Sequence, residues 1–142
     1  MAEINLEIDE EVLPQFHSLA MDRKYRYITF KINDDKSKVI PAEQVEESTW
    51  EDFVLALPKE EPRYCFYNFE YTLSGGEGKR EKVILINWVP PSLNIFGRTI
   101  YASSKKTLLS AVNYGNIAIQ ADDKGDLVYE EILKAVSSGG TK

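Results

Sequence analysis

Apolar positions in the first part of the chain change from the period of a helix to that of a strand. Val12, Phe16 and Leu19 recur at spacings of three and four residues, which predicts a helix beginning near Glu11. Residues 25–32 then alternate between apolar and polar side chains, the pattern of a strand with one buried face. The first two predicted elements are therefore a helix and a strand.

A polar turn and a capping motif separate the next predicted elements. Residues 33–35 (Asn-Asp-Asp) favour a turn, and residues 38–41 are expected to return as a short strand. Residues 48–51 read Ser-Thr-Trp-Glu, the spacing of a capping box that satisfies free backbone N–H groups at a helix start. A second helix is thus predicted to follow and to end at Pro58.

Two long segments in the middle of the chain have the composition of paired strands. Residues 63–73 are rich in aromatic side chains, and residues 79–88 follow a glycine-rich loop at 74–78, which predicts a hairpin. Because residues 83–86 are continuously apolar, the second strand should be covered on both faces and lie inside its sheet. Helices must then lie on both sides of that sheet.

A long helix is predicted within the segment 89–112, after the proline pair. Pro90 and Pro91 cannot donate to a sheet ladder, so the preceding strand should stop there, and Ser92 is expected to cap the helix. Arg98 should project away from its apolar face. The residues of that face recur at spacings of three and four: Leu93, Phe96 and Ile100.

A short strand and a last helix complete the predicted elements. Residues 117–120 form the strand, and Asp126 is expected to cap the helix that follows. The apolar positions of this helix are Val128, Ile132, Leu133 and Val136. The predicted order is helix, hairpin, helix, hairpin, helix, strand, helix.

This order of elements predicts an α/β (α+β) fold. A central mixed, mostly antiparallel sheet of five to six strands would be sandwiched between helices. The chain of 142 residues fits one domain, spanning 1–142. Residues 1–8 and 137–142 are expected to be flexible tails.

Composition narrows the class of protein further. An apolar content of 43% with 11% aromatic residues is typical of a globular protein. No apolar run approaches the roughly 20 residues that a membrane span requires, and the first residues lack the layout of a signal peptide. The single cysteine, Cys65, excludes an internal disulfide and agrees with a reducing compartment. We therefore expect a cytoplasmic protein without a transmembrane segment.

Charge is unevenly distributed along the chain. A net charge of −6 argues against nucleic-acid binding, because affinity for the phosphate backbone comes from clustered lysine and arginine. Two segments are nevertheless locally basic, at residues 79–82 and 98–106. They are either sites of specific contact or ordinary solvated surface.

Candidate groups for covalent chemistry are few. His17 is the only histidine and is assigned a structural or surface role, and Cys65 lies in an aromatic strand without a histidine partner. The three aspartates within residues 122–126 lack the ligand run of a calcium loop. The glycine-rich loop at 74–78 lies inside a hairpin, where a phosphate-binding loop would need a strand-to-helix turn. Binding, without enzymatic activity, a cofactor or a metal, is the remaining interpretation.

Ordered motifs along nearly the whole chain resemble the actin-depolymerising factor/cofilin family. The most specific is residues 101–105, Tyr-Ala-Ser-Ser-Lys, which follow a strand that ends in tryptophan and a proline pair. Further landmarks occur in family order: residues 24–28, Leu57-Pro58, Arg63-Tyr64, residues 69–71, residues 78–82, residues 119–121 and Asp123. The resemblance implies a single actin-depolymerising factor homology domain.

The resemblance also implies a function and a set of contact residues. A protein of this family would bind monomeric and filamentous actin and promote filament severing or depolymerisation. Its long helix would enter a cleft of the actin monomer, and a basic strand with the last helix would contact filaments. The implied contact residues are Arg98, Ser103 and Lys105 on the helix, and Lys79, Arg80 and Lys82 on the strand. Phosphoinositides are further candidate partners of the basic segments, and the protein is expected to be a monomer.

Four positions depart from the family pattern. Phe96 and Thr99 replace a basic residue and a methionine on the long helix, and Ala135 and Ser138 replace basic residues on the last. Phe96 is either an apolar anchor for actin or a core residue, and its spacing from Leu93 slightly favours the core. These departures leave a second interpretation, an actin monomer or filament binder with weak severing activity.

Overall fold

Six strands form one mixed sheet in the computed structural model, which describes residues 6–72, 78–115 and 117–139. The strands are β1 (Glu7–Ile8), β2 (Tyr27–Ile32), β3 (Lys38–Val45), β4 (Arg63–Thr72), β5 (Lys79–Trp88) and β6 (Ala118–Ala121). Their order across the sheet is β1-β3-β2-β4-β5-β6. The three inner pairings are antiparallel, whereas β1 with β3 and β5 with β6 are parallel. The predicted sheet is confirmed.

Helices cover both faces of the sheet, as the continuously apolar strand predicted. The helices are α1 (Val12–Ala20), α2 (Trp50–Ala56), α3 (Ile95–Val112) and α4 (Tyr129–Gly139), with a 3-10 turn at Lys124–Leu127. Side chains of α1 and α3 pack into one hydrophobic core, and those of α2 and α4 pack into a second core across the sheet. We refer to these as the α1/α3 face and the α2/α4 face.

The hairpin of β4 and β5 forms the centre of the molecule. Its register runs without interruption from Arg63 opposite Trp88 to Thr72 opposite Lys79. Side chains of β5 alternate, so Leu85 packs on the α1/α3 face and its neighbour Ile86 packs on the α2/α4 face. Both are fully buried, which confirms that this strand lies inside the sheet. The predicted loop at 74–78 lies outside the described residues except for Gly78.

Two stacked tyrosines attach α3 to the sheet. The rings of Tyr64 on β4 and Tyr101 on α3 are 4.0 Å apart and nearly parallel. The Tyr64 hydroxyl also donates to the backbone carbonyl of Tyr101 over 2.5 Å. Burial raises the pKa of both phenols above the usual value, so both remain neutral donors. This contact fixes the middle of α3 against the sheet.

Helix caps differ from the prediction by one to several residues. Thr49, and not Ser48, caps α2, because its hydroxyl accepts from Asp52 N–H while the Ser48 hydroxyl donates to the carbonyl of Thr49. Asn94, and not Ser92, caps α3, because a turn closed by the N–H of Leu93 delays the start of the helix.

The cap assigned to the last helix is also wrong. The carboxylate of Asp126 accepts from the backbone N–H groups of Asp122 and Asp123, so it stabilises the 3-10 turn and cannot cap α4. That helix starts after Val128, whose carbonyl accepts from the N–H of Ile132.

Several element boundaries also shift. The first helix begins at Val12, beside the predicted Glu11, whereas β3 extends beyond its predicted end to Val45. Residues 7–8 pair in β1 and residues 137–139 continue α4, so these parts of the predicted tails are ordered elements. Residues 1–5 and 140–142 lie outside the described residues.

Candidate protein-binding surfaces

One side of α3 is exposed along its whole length. Its inner side carries the buried residues Ile100, Ser104, Leu108 and Val112, spaced by four. We call the exposed side the α3 stripe, which consists of Ile95, Phe96, Thr99, Ala102, Ser103, Lys106, Thr107 and Ser110. At 1.5 Å per residue the stripe is about 22 Å long. This length is enough for a helix to lie in the groove of a partner protein.

The first turn of α3 presents two large apolar side chains to solvent. Ile95 is 82% exposed and Phe96 is 63% exposed. The preference for a core position of Phe96 is therefore wrong, and the alternative of an outward position is correct. Because the helix begins only at Ile95, Leu93 lies in the preceding turn, and its spacing from Phe96 does not define a helix face. We call Ile95 and Phe96 the apolar tip.

Arg98 is turned toward the protein's own backbone. Its Nε donates to the carbonyl of Leu93 over 3.1 Å, and its Nη2 donates to the carbonyl of Pro90 over 3.2 Å. The side chain is half-buried, although the sequence predicted that it would project away from the apolar face. The guanidinium thus holds the turn that leads into α3.

The other two residues predicted on this helix differ in position. Ser103 is exposed on the α3 stripe, whereas Lys105 is half-buried beside it. The neighbouring Lys106 lies on the stripe, although the prediction chose Lys105. Counting by three and four from Ile95 would have selected Lys106, because that spacing follows one side of a helix.

The basic residues of β5 divide between the two faces of the sheet. Strand alternation places Arg80 and Lys82 on the α2/α4 face and Lys79 on the opposite one. Lys82 Nζ donates to the carbonyl of Val136 on α4 over 3.4 Å, whereas Arg80 is exposed. The structure therefore brings the basic strand and the last helix together at Lys82. We call Arg80, Lys82 and the adjoining part of α4 the β5/α4 surface.

The two candidate surfaces lie on opposite sides of the molecule. The α3 stripe belongs to the α1/α3 face, and the β5/α4 surface belongs to the α2/α4 face, with the sheet between them. The departures from the family pattern fall on both. Thr99 is exposed on the stripe and Ala135 is exposed on α4, while the side chain of Ser138 lies outside the described part.

The cysteine, the histidine and the aspartate cluster noted in the sequence lie in different surroundings. Burial, reinforced by Glu43, raises the pKa of the fully buried Cys65 thiol above its usual value, which makes it a poor nucleophile. His17 is exposed on α1. Within residues 122–126 carboxylate oxygens of the three aspartates lie within 4.8 Å of one another at the surface, and the side chains of Asp123 and Asp126 cap the 3-10 turn.

Comparison with known proteins identifies the family. A sequence model of the family described as "Cofilin/tropomyosin-type actin-binding protein" matches residues 5–137. The chain belongs to this family. It is 35% identical to the cofilin of Eremothecium gossypii over 139 residues, which cover 98% of this chain and 97% of that one. The cofilin of Saccharomyces cerevisiae is 32% identical over the same length and the same shares of the two chains.

Solved structures of the family have the same fold. The crystal structure of Streptomyces griseoflavus cofilin superposes with a TM-score of 0.86 at 26% identity, covering 95% of this chain and 99% of that one. The solution structure of ADF/cofilin from Trypanosoma brucei gives a TM-score of 0.75 at 32% identity, covering 97% and 98%. Among the described residues of this family member, no helix is long and apolar enough to cross a bilayer.

Proposed function

We propose that this protein binds actin, both as monomers and as filaments, and promotes the severing and depolymerisation of filaments. The observation that supports this most is a match to an actin-binding family over residues 5–137, together with a long helix whose outer side is free to bind. The activity is binding, without a covalent step.

The α3 stripe would bind the actin monomer. An exposed helix side of about 22 Å has the shape that protein grooves accept, and the stripe begins with large apolar side chains. The sheet supports the helix through the buried contact of Tyr64 with Tyr101, so the stripe would bind with little rearrangement.

The β5/α4 surface would add a second contact on filaments. Arg80 is exposed there and can pair with carboxylates, and such pairs mainly set orientation and association rate. Because the two surfaces face opposite sides, one molecule could contact two neighbouring subunits of a filament. A protein that binds one arrangement of subunits better than another shifts filaments toward that arrangement, and strain at the boundaries would favour breakage.

Weak severing is the second candidate function. The helix α4 carries the exposed Ala135 where the resemblance to the family implies a basic residue, and Lys82 already donates to the end of that helix. Lys82 is then less available to pair with carboxylates of a filament. In this alternative the protein binds actin and sequesters monomers without creating many new filament ends.

The proposal also includes where the protein acts and which lipids it binds. The protein would act as a monomer in the cytoplasm, on the actin cytoskeleton. Phosphoinositides would compete with actin for the exposed cations, among them Arg80 and Lys106. Their effect would be seen as release of bound actin by vesicles that contain these lipids.

Sedimentation of filamentous actin tests the proposal. With increasing protein, we expect the protein to appear in the pellet and the amount of pelleted actin to fall. An unchanged actin pellet without bound protein would refute the proposal. Imaging of single filaments then separates the two candidates, since severing produces new ends whereas sequestration only slows growth.

A further inference from the structure

We infer that the apolar tip makes the principal contact with the actin monomer and that Arg98 is a positioning residue for this tip. The inference rests on the proposed function and specifies the chemistry of the partner surface, an apolar recess on actin. In this inference, actin binding buries the exposed side chains of Ile95 and Phe96, and Arg98 makes no ion pair with actin.

The hydrogen bonds of Arg98 hold its guanidinium against the turn that precedes α3. Two different nitrogens of the guanidinium donate to two carbonyls, those of Leu93 and Pro90, which both precede the helix. To bind a partner carboxylate with the same nitrogens, Arg98 would have to release both carbonyls. An unsatisfied carbonyl at a closing interface costs free energy, so the turn competes with the partner for this side chain.

The same turn packs closely against the start of α3. A Cβ added at Gly97 would lie 2.9 Å from Leu93 Cδ1, so the turn folds directly against the helix at this glycine. The Asn94 side chain accepts from the N–H of Gly97 over 2.8 Å. Arg98, Asn94 and Leu93 thus hold the first turn in one conformation. A rigid turn presents Ile95 and Phe96 at a small cost in entropy on binding.

Charged residues are few along α3. The helix contains no acidic residue, and Lys106 is the one charged residue of the α3 stripe. Interface centres are depleted of charged residues and enriched in aromatic ones, with charges at the rim. The tip therefore fits an interface centre, and Lys106, almost three turns away, fits a rim.

A titration of labelled actin monomers with the full-length protein tests the inference. The variants are the double substitution Ile95→Ala with Phe96→Ala, the single substitutions Arg98→Ala and Arg98→Lys, and the control Leu55→Ala. Leu55 is a matched control because it is 71% exposed on α2, on the other face of the sheet. Each titration is repeated at about 50 and about 200 mM KCl, and thermal unfolding verifies that each variant is folded.

The expected pattern separates an apolar contact from a charged one. The double variant should bind at least about tenfold more weakly at both salt concentrations, and Leu55→Ala should bind as the wild type does. Arg98→Lys keeps the positive charge but loses the planar guanidinium that donates to two carbonyls at once. It should therefore lose affinity as Arg98→Ala does. Neither Arg98 variant should change the dependence on salt, because the wild-type guanidinium does not pair with actin.

Other outcomes overturn the inference. If Arg98→Lys binds as the wild type does while Arg98→Ala loses both affinity and salt dependence, then Arg98 contacts actin directly. If the double variant binds as tightly as Leu55→Ala, then the tip lies outside the contact. A wild-type protein that fails to bind monomers at either salt concentration would instead refute the proposed function itself.

Discussion

The hydroxyl group of Tyr64 links the sheet to α3. Its hydrogen bond to the carbonyl of Tyr101 is buried, so Tyr64→Phe removes the donor without changing the stacking of the rings. We expect the free energy of unfolding to fall by about 1 kcal/mol. Urea unfolding measures this, with Tyr129→Phe, a half-buried tyrosine of the other face, as a control. A Tyr64→Phe protein as stable as the wild type would show that the hydroxyl does not stabilise the fold.

Glu43 joins strands β2, β3 and β4 in a small polar network. Its carboxylate accepts from the hydroxyl of Thr29 and from Nε and Nη2 of Arg63, each of the latter over 3.2 Å. Burial alone would raise the pKa of Glu43, but the hydrogen bonds from Arg63 and Thr29 outweigh it and lower the pKa below the usual value.

This lowered pKa predicts a loss of stability in acid. The charged form is favoured by folding, so its contribution is present above the unfolded pKa of about 4.3 and is lost as pH falls through the folded pKa. Between about pH 6 and pH 3, the wild type should therefore lose more unfolding free energy than Glu43→Gln. Denaturant unfolding across this range measures the difference, with the exposed Glu60→Gln as the control. Equal pH dependence in Glu43→Gln and the wild type would contradict the prediction.

The side-chain positions around the start of α3 were the hardest to predict from the sequence. The spacing of Leu93, Phe96 and Ile100 suits a helix face, but the turn before Ile95 removes Leu93 from the helix. Phe96 is therefore exposed. The bonds from Arg98 to the turn depend on where two carbonyls lie in space, and no pattern of residue types reveals them.

At the scale of elements, the start of α3 depends on a glycine. Alanine normally stabilises a helix by about 1 kcal/mol relative to glycine. At Gly97 the new Cβ would lie 2.9 Å from Leu93 Cδ1 and 3.4 Å from Asn94 Oδ1, which caps the helix. We therefore expect Gly97→Ala to be no more stable than the wild type, as measured by urea unfolding.

The control for this prediction lies on the same helix. Thr107 is exposed, so Thr107→Ala should gain about 0.5 kcal/mol from helix propensity alone. If Gly97→Ala gains as much as propensity predicts, then Leu93 moves aside easily and the first turn is not rigid. That result would also weaken the positioning role of Arg98.

Elements were predicted well because their hydrophobic periods are long and consistent. The ten-residue strands β4 and β5 and the buried positions Ile132 and Val136 of α4 follow directly from such periods. Caps were predicted less well, because Ser, Thr, Asn and Asp cluster at helix starts and several of them can accept the same N–H group. Local turns decide between them, as the choice of Asn94 over Ser92 shows.

At the scale of the whole molecule, the sheet separates the two candidate surfaces. We therefore expect Arg80→Ala to weaken binding to filaments by about 1 kcal/mol, or severalfold, and to leave monomer binding unchanged. Lys79→Ala removes the same charge one residue away on the opposite face, so it should affect filament binding less. Co-sedimentation and monomer titration measure the two activities. Equal losses in the two variants would show that net charge, and not the β5/α4 surface, determines filament binding.

The fold could be inferred from the sequence, and so could the elements that carry the two candidate surfaces, since landmarks along nearly the whole chain resemble one family. The orientation of individual side chains could not. Lys79 and Arg80 are adjacent in a basic segment, and the face each occupies depends on the register of β5, which the core contacts establish. A linear motif does not contain that information.

Oxidative footprinting of the complex with monomeric actin tests the central claim most directly. Ile95, Phe96, Leu55 and Met21 are all more than 60% exposed in the free protein, so hydroxyl radicals can reach each of them. When actin monomers saturate the protein, oxidation of Ile95 and Phe96 should fall severalfold, while Leu55 and Met21 should react as before. Unchanged oxidation of Ile95 and Phe96 in the complex, or protection of Leu55 in their place, would contradict the account.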